Sequence, residues 1–589
     1  MKTENTAKEA RLTFFKELYE NARRSSGGIF EELDRHMRQY RGSDEIDGSE
    51  ERAVAVRNVT YEIIESQVSS EIPYPKVDSE FYSEMREENA RNIERLCIST
   101  RDRLPFETMN DLDERYTYIY GGSVWFVEWD NEEKGVRVHC ISPKSFIAQP
   151  GITEVSEMEY CFLNFTTTRG ELTRKYGIAD DESSLAECEY EYGGPTADGD
   201  AVTVTVCFYR GSDGEIGQFI FSGSLTLSDI PAYYKRKITV CKRCKKTESD
   251  CTCKAPRLEL TDLHFETVPG EKCHGASVKA EKILVPYYTP KEFPIVIRKN
   301  TSRENSLFGQ SDCEYIRPEQ QAINKIESRI LQKLLRAGVT PIIPEDATVS
   351  VSNAVFGQII KMKPGESAAQ YGKVDTTPDV SQDIAEADRL YDHTKRILGI
   401  SDAFQGIDTS KVESGIAKQL RIKQATGRLE SKKRMKEAAY AAINRLIFIH
   451  YLAFSDEVRE LSYKDAYGTV HTSAFNRYDF IERDRDSGMC KYFDRYLFSV
   501  DRNEGADYDR TALWERNLEN LRSGTLGDVR DPATLFRYWQ AQQRVHYPYA
   551  RENAEYFRAE LEKREKDGTK SGTVTVKTEE NKEERSISQ

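Results

Sequence analysis

The stretch Leu307–Gly415, from LFGQSDCEYIRPEQQAINKIESRILQKLLRAG (Leu307–Gly338) to SQDIAEADRLYDHTKRILGISDAFQGIDTSKVESG (Ser381–Gly415), reads as two helices joined by a strand-rich insert. The first helix opens after Asp312 and Glu314, with Pro318 near its first turn, where a missing N–H costs nothing. Ile323, Ile326, Ile330 and Leu334 recur at three- and four-residue steps, and Ala322, Leu331 and Leu335 widen the stripe. Gly338 ends it, and Pro341 keeps it from resuming. The second helix, Ser381–Leu398, carries Ile384, Ala387, Leu390, Tyr391, Thr394 and Leu398 on one side. Its acids (Asp383, Glu386, Asp388) come early and its bases (Lys395, Arg396) late, as the helix dipole favours. Between the helices, PIIP, TVSVS and QIIKMK read as short strands separated by Pro and Gly turns. GISDAFQGIDTSKVESG is then a loop punctuated by Gly, Ser and Asp. A helical pair with a β tip at one end and a loop at the other suits a spoke of a ring better than a pocket.

Around this unit, 589 residues leave room for roughly three to five domains. Hydrophobic residues at 38% and charged ones at 31% fit a soluble chain with much exposed or intersubunit surface. No apolar run reaches the ~18 residues of a membrane helix, and MKTENTAKEARLTFF is charged from its start. The expectation is a cytosolic chain with neither leader nor span. Net charge is −14 and the pI is near 5.4. Gripping nucleic acid takes a basic surplus, so a static DNA binder is disfavoured, whereas a wall past which DNA slides is not.

On the N-terminal side, Lys8–Ala22 is an amphipathic helix (Leu12, Phe15, Leu18, Tyr19, Ala22) broken by SSGG at Ser25–Gly28, and a second helix follows at Phe30–Tyr40. Helices at Val56–Ser69, Phe81–Arg103 and Glu107–Tyr118 lead into GGSVWFVEWDNEEKGVRVHCISP, two alternating strands around a DNEEKG turn. Strand EMEYCFLNF, a helix at Arg169–Tyr176, an acidic linker, a hairpin at Val202–Phe221 and the strand PIVIRKN complete an α+β half. The carboxylate clusters DSE, DLDE and DRD read as solvated faces. On the C-terminal side the longest helix, about Glu413–Ala453, is basic at first (Lys418 to Lys436) and apolar later (Ile443, Leu446, Ile447, Ile449, Leu452). Strands at Asn476–Ile481 and Phe493–Val500 precede a helical part, Tyr508–Lys563. Residues 564–589 are polar, and disorder is expected there.

Four of the twelve cysteines cluster in CKRCKKTESDCTC, a C-x2-C followed six residues later by C-x-C. Cys241, Cys244, Cys251 and Cys253 can close a tetrahedral Zn2+ site with Zn–S distances of ~2.3 Å. Such a site is structural, because no ligand position stays open. Lys242, Arg243, Lys245, Lys246 and Lys254 offset the negative charge of four thiolates on one metal ion. Free thiols or a disulfide pair are the other readings of these four residues. The remaining eight cysteines are scattered and read as reduced, many as small core fillers.

RNVTYEIIESQVSS with PYPKV, YGGSVWFVEWDN, ISPKSFIAQPG, SLFGQSDCEYIRPEQQAINKIESRI, LGISDAFQG with ESGIAKQ, and DPATLFRYWQAQQRVHYPYA follow one another over Glu50–Phe557. In this order the chain resembles the portal proteins of tailed bacteriophages, the head-to-tail connectors. The resemblance implies a ring of typically about twelve copies at one capsid vertex of the virion, assembled in the host cytoplasm without a membrane. It implies double-stranded DNA passing through the ring, driven by a separate terminase large subunit, with a head–tail adaptor docking later. Major capsid and scaffolding proteins are its neighbours. It maps residues 1–300 to N-terminal helices and an α+β wing, with 241–253 as a zinc-binding insertion that the family pattern does not require. Residues 301–338 become the wing-to-stem segment and first stem helix, 339–380 a small β-containing clip, and 381–398 the second stem helix. Residues 399–415 become the tunnel loop, 416–453 the long helix, 454–507 returning wing strands, 508–563 a helical crown and 564–589 a tail. Asp402, Gln405, Asp408 and Lys411 are then the candidates to face the channel. Lys418, Arg421, Lys423 and Arg428 face DNA or acidic neighbours in the ring, or else form a solvated face or pair within the chain with Glu413, Glu430 and Glu437.

No G-x-x-x-x-G-K-[ST], H-E-x-x-H, G-x-S-x-G or kinase set occurs, and the eight histidines are dispersed. No catalytic residue is assigned and no enzyme is expected. The competing reading is a zinc-containing nucleic-acid-processing or binding protein with the cysteine cluster as its contact module. The acidic total and the missing motor or nuclease motif disfavour it.

Overall fold

The computed structural model describes residues 2–43, 54–81, 83–178, 185–186, 201–235, 237–241, 253, 258–262, 265–269, 282–335, 339–342, 350–354, 357–361, 372–375, 378–400, 427–464, 470–483, 488–501, 510–544, 547 and 550–571. They are mixed helix and strand, as an α+β chain requires. No helix among them is long and apolar enough to cross a membrane. Two compact units emerge: Met1–Arg459 with Phe475–Val500, and Glu460–Ala474 with Asp501–Gln589.

In the first unit, α1 (Lys2–Arg41) and α2 (Val59–Gln67) precede β1 (Tyr74–Ser79), α3 (Glu84–Arg103) and α4 (Phe106–Tyr120). The hairpin β2 (Gly122–Asp130) and β3 (Gly135–Ile141) follows, then β4 (Phe146–Ala148), β5 (Tyr160–Thr168) and α5 (Arg169–Tyr176). Strands β6 (Ala201–Arg210), β7 (Ile216–Ser222) and β8 (Leu225–Ile230) extend β4 and β5 into a five-stranded antiparallel meander. Two-stranded ribbons follow, β9 (Lys237–Cys241) with β10 (Leu258–Asp262) and β11 (Phe265–Pro269) with β12 (Lys282–Pro286). Strand β13 (Ile295–Lys299) joins the edge of β2, giving the order β13-β2-β3.

Helix α1 packs on the meander because its apolar stripe keeps helical phase: Phe15, Ala22 and Leu33 are all buried and lie seven and eleven residues apart, two and three turns. Phe15 and Ala22 meet Ile147, Phe162, Cys207, Phe219 and Phe221, while Leu33 packs with Ile64, Tyr118 and Cys313. SSGG therefore does not break the helix. Neither Gly27 nor Gly28 has positive φ, and tertiary packing on both sides outweighs a propensity cost of ~1 kcal/mol per glycine.

The central helical pair is α6 (Asp312–Leu335) and α7 (Ser381–Leu398), the latter with the bounds read from the sequence. Helix α6 starts earlier than expected, so Pro318 lies inside it rather than in its first turn. Proline there deprives the Glu314 carbonyl of its helical partner, and the buried anchoring of Asp312, Ile316 and Gln320 holds the turn in place. Between the helices, β14 (Val339–Ile342) pairs antiparallel with β17 (Gly372–Asp375), and β15 (Ser350–Ala354) pairs with β16 (Gly357–Lys361). Two nested pairings thus extend the helical hairpin; the last strand was missed in the sequence.

Helix α8 (Gly427–Phe454) is described from Gly427, so its expected start near Glu413 lies outside the described residues. Its second half is mostly apolar, and Tyr440, Ile443 and Leu446 to Leu452, apart from polar His450, form a buried apolar core running through the unit, while Arg445 pairs with Glu292. Beyond it come β18 (Arg459–Lys464), β19 (Val470–Phe475), β20 (Ile481–Arg483), β21 (Cys490–Tyr492) and β22 (Tyr496–Asp501). Arg477–Phe480 is a 3-10 turn where a strand was expected, because Asn476 caps it through the Tyr478 N–H.

The second unit has α9 (Arg510–Arg522), α10 (Pro532–Arg544) and α11 (Ala550–Ser571). Trp514 and Trp539 both meet the ring of Tyr547, and Gln542 donates to the Trp514 carbonyl at 3.3 Å. Residues 564–571, expected in the disordered tail, continue α11. Opposite charges four apart at 560/564 and 562/566 favour that extension.

Candidate functional site

The root of the helical pair is built on buried charge. Ser311 Oγ accepts from the Cys313 N–H at 3.0 Å and donates to the Ile119 carbonyl at 2.5 Å, fixing where α6 begins. Asp312 follows, fully buried. Its carboxylate accepts from Lys432 Nζ at 2.6 and 2.9 Å, from Gln67 Nε2 at 3.0 Å and from Asn300 Nδ2 at 2.8 Å. A carboxylate at the first residue of a helix is favoured by the dipole, and these donors replace its lost hydration.

Beside it, Arg298 of β13 reaches Asp113 at 2.5 Å and Glu114 at 2.7 Å, with both partners and the guanidinium buried. Trp125 Nε1 donates to Asp113 at 2.8 Å, Ser123 donates to the same oxygen, and the Ser69 N–H donates to Glu114 at 3.1 Å. Lys436 Nζ lies 3.1 Å from Glu114 and donates to the Glu71 carbonyl at 2.6 Å. Burial pushes the Glu114 carboxyl up, but the Arg298 and Lys436 charges win and hold it below the ordinary carboxylate range. Three carboxylates (Asp113, Glu114, Asp312) thus meet three cations (Arg298, Lys432, Lys436), so the buried network balances. Removing one member of such a set costs ~3–5 kcal/mol. It joins α2, α4, α6, α8 and the β2–β13 edge at one point.

Above this base the pair packs on α2. Val59, Ile63, Ile316, Ile323, Leu398 and Ile400 form one cluster, with Leu390, Tyr391 and Ile397 against it. Thr60 N–H donates to Gln320 Oε1 at 2.9 Å, and Arg57 pairs with Asp388 at 3.0 Å over the Tyr391 ring. Further out, Asp383 joins the two helices through Arg329 and Lys333. Hydrogen bonds from Lys333 and then Arg329 lower its pKa despite desolvation. Beyond that clasp the apolar stripe runs out of cover: Leu334 is 52% exposed, Leu335 69% and Ile384 47%. The pair is covered at its root and bare at its tip.

Gly399, with φ 76°, turns the chain off α7, and Ile400 N–H donates to the Lys395 carbonyl at 2.9 Å. Ile400 packs at the root of the pair, and Lys432 of α8 is held there as well by Asp312.

Of the sequence-predicted residues, Asp402, Gln405, Asp408, Lys411, Lys418, Arg421 and Lys423 lie outside the described residues, and Arg428 falls within α8. The later part of the same basic run pairs within the chain, but mostly not with the expected acids. Lys432 takes Asp312, Lys433 lies 3.7 Å from Glu71 and Lys436 takes Glu114; Arg434 does pair with Glu430 at 3.2 Å. DLDE is solvated only in its first half: Asp111 is exposed as expected, but Asp113 and Glu114 are 0% and 1% exposed. The available signal was Lys432 and Lys436 one turn apart on a helix about to become mostly apolar.

Cys241 ends β9 and is buried, and Cys253 is half-buried; Cys244 and Cys251 lie outside the described residues. Leu258 pairs with Cys241 across the ribbon, so the chain around the cysteine stretch closes into a hairpin. The chain matches no family model, and no curated protein is significantly similar to it.

Proposed function

We propose that the chain is a portal-type subunit: a non-enzymatic building block of a ring, typically of about twelve copies, through which double-stranded DNA is packaged, retained and released at a capsid vertex. A terminase motor docks first and a head–tail adaptor later, at the clip end. The observation that carries this reading is the gradient of cover along α6 and α7. Their roots are locked to α2 and to a balanced buried network, while Leu334, Leu335 and Ile384 stand in water beside two short strand pairs. Two-stranded ribbons are marginal alone. A neighbouring copy laid alongside covers the tip and supplies further strands.

The intrachain pairing of Lys432 and Lys436 supports a sliding wall over a gripping one, because it removes two cations from any DNA-facing set. Independently of that reading, the cysteine spacing supports a structural Zn2+ site at Cys241, Cys244, Cys251 and Cys253. End-on electron micrographs of the purified chain test the proposal. Closed rings with a central hole are expected; a monodisperse single chain that binds duplex DNA tightly would favour the nucleic-acid-processing alternative.

A further inference from the structure

Strand β3 has a neighbour on one side only, because it ends the sheet order β13-β2-β3. Val127 of β2 lies opposite Val138 and donates its N–H the other way, to the Pro294 carbonyl beside β13, at 2.9 Å. In an antiparallel ladder, a residue whose main chain turns away from the neighbouring strand faces one that turns away as well. The N–H and C=O of Val138 therefore point out of the sheet, as do those of Val136 and Cys140 two residues to either side. Arg103 Nη2 accordingly reaches the Val136 carbonyl from outside, at 2.8 Å. Among the described residues, nothing pairs with the main chain of Val138 or Cys140 along this edge. An open cleft of about 810 Å3 lies there. Arg137 to Cys140 all line it, and their side chains alternate between the two faces of the sheet, so the cleft follows the edge rather than either face. Leu104, Pro105 and Met109, from the corner between α3 and α4, make its apolar wall. Leu112, one turn beyond Met109, is 36% exposed and continues that wall. Arg137 and His139 already meet Asp130, Glu133 and Glu128. Arg103 is exposed, and among the described residues it has no carboxylate within 4.0 Å.

We propose that this cleft takes an extended peptide segment of a partner protein, which adds to β3 as an antiparallel fourth strand. The open N–H and C=O groups of Val138 and Cys140 supply its main-chain hydrogen bonds, and a compact apolar ligand would leave them unused. Both existing pairings in this sheet are antiparallel, the arrangement that is more stable per residue. Alternate side chains of the added strand turn toward Leu104 and Met109, which selects aliphatic or β-branched residues there. Those between them lie on the side of Arg137 and His139, near solvent, and are polar. Arg103 stands at the start of β3, with its guanidinium against Gly135. It is therefore beside the C-terminal end of an antiparallel partner, where its fork selects a carboxylate. The cleft is made within the first unit and goes beyond the portal reading without depending on it.

Fluorescence anisotropy tests the site, using the full-length chain in whichever assembly it adopts and a short labelled peptide that alternates threonine with valine and ends in glutamates. Saturable binding of about one peptide per chain is expected. N-methylation of alternate peptide amides separates strand addition from nonspecific apolar contact, since only every second N–H faces β3. One alternate set should weaken binding by about tenfold or more, and the other should leave it nearly unchanged. Arg103→Gln should bind the glutamate peptide several-fold more weakly, and a peptide ending in glutamines as the wild type does. The methylated peptides need no change to the protein, so the test does not depend on how that variant folds. Binding that is absent, that does not saturate, or that responds equally to both methylated sets overturns the added strand. An Arg103→Gln effect of the same size on glutamate and glutamine peptides overturns the carboxylate at its end.

Discussion

Lys432 reaches from the sixth residue of α8 back to the first residue of α6, its Nζ 2.6 Å from Asp312 Oδ2. Residues 401–426 are therefore bounded by two fastenings at the same place, Ile400 in the α2–α6 cluster on one side and this ion pair on the other.

Lys432→Met should strand a buried carboxylate and destabilise the chain by ~3–5 kcal/mol, measured by denaturant unfolding. Adding Asp312→Asn should recover part of that loss, so that the double variant costs less than the sum of the singles. Additive effects would mean the two side chains do not act as a pair.

His450 is buried among Tyr233, Tyr234 and Phe454, with Nδ1 2.8 Å from the Leu446 carbonyl. Burial lowers its pKa from 6.5 to about 4, outweighing the Leu446 hydrogen bond. The unfolded chain takes up this proton near 6.5 and the folded chain only near 4. The contribution is thus fully present above 6.5 and is lost progressively as pH falls towards 4. Up to ~3 kcal/mol is at stake. Melting curves across this window should be shallower in pH for His450→Phe than for wild type; parallel curves would contradict the assignment.

Gly27→Ala and Gly28→Ala should each stabilise the chain by ~1 kcal/mol, because both sit in a helix with open space where a Cβ would go. A fall in melting temperature would argue for a break in α1 at SSGG.

Elemental analysis should find about one zinc per chain, lost together with wing stability in Cys241→Ser/Cys244→Ser and on treatment with a strong chelator. Unchanged melting with no zinc in the wild-type protein would leave the cysteines as ordinary thiols.

The helices and hairpins with strong periodicity were legible in the sequence: Ser381–Leu398, Arg169–Tyr176 and the VWFVEW–VRVHCI pairing stand where spacing put them. What misled was punctuation without context. SSGG at Ser25–Gly28 spells a break, yet Phe15, Ala22 and Leu33 stay in phase across it, and packing decides. Pro318 spells a start, yet the Asp312 network begins the helix a turn and a half earlier. The charge network was illegible for a different reason. Asp113, Glu114, Arg298, Lys432 and Lys436 are residue types that normally face water, and only the meeting of segments hundreds of residues apart neutralises them. Sequence spacing reports local periodicity, not which distant charge will arrive.

The exposed tip of the α6–α7 pair is where the proposal is most open to test. Leu334→Glu/Leu335→Glu/Ile384→Glu changes three side chains that stand in water in the single chain, so its fold should be retained. Native mass measurement should find the wild type as a closed multiple of 67.6 kDa, near twelve copies, and the triple variant as a folded single chain. A wild type that remains at 67.6 kDa at every concentration, or a triple variant that assembles as the wild type does, would contradict the claim that these helices complete their cover only against their own copies.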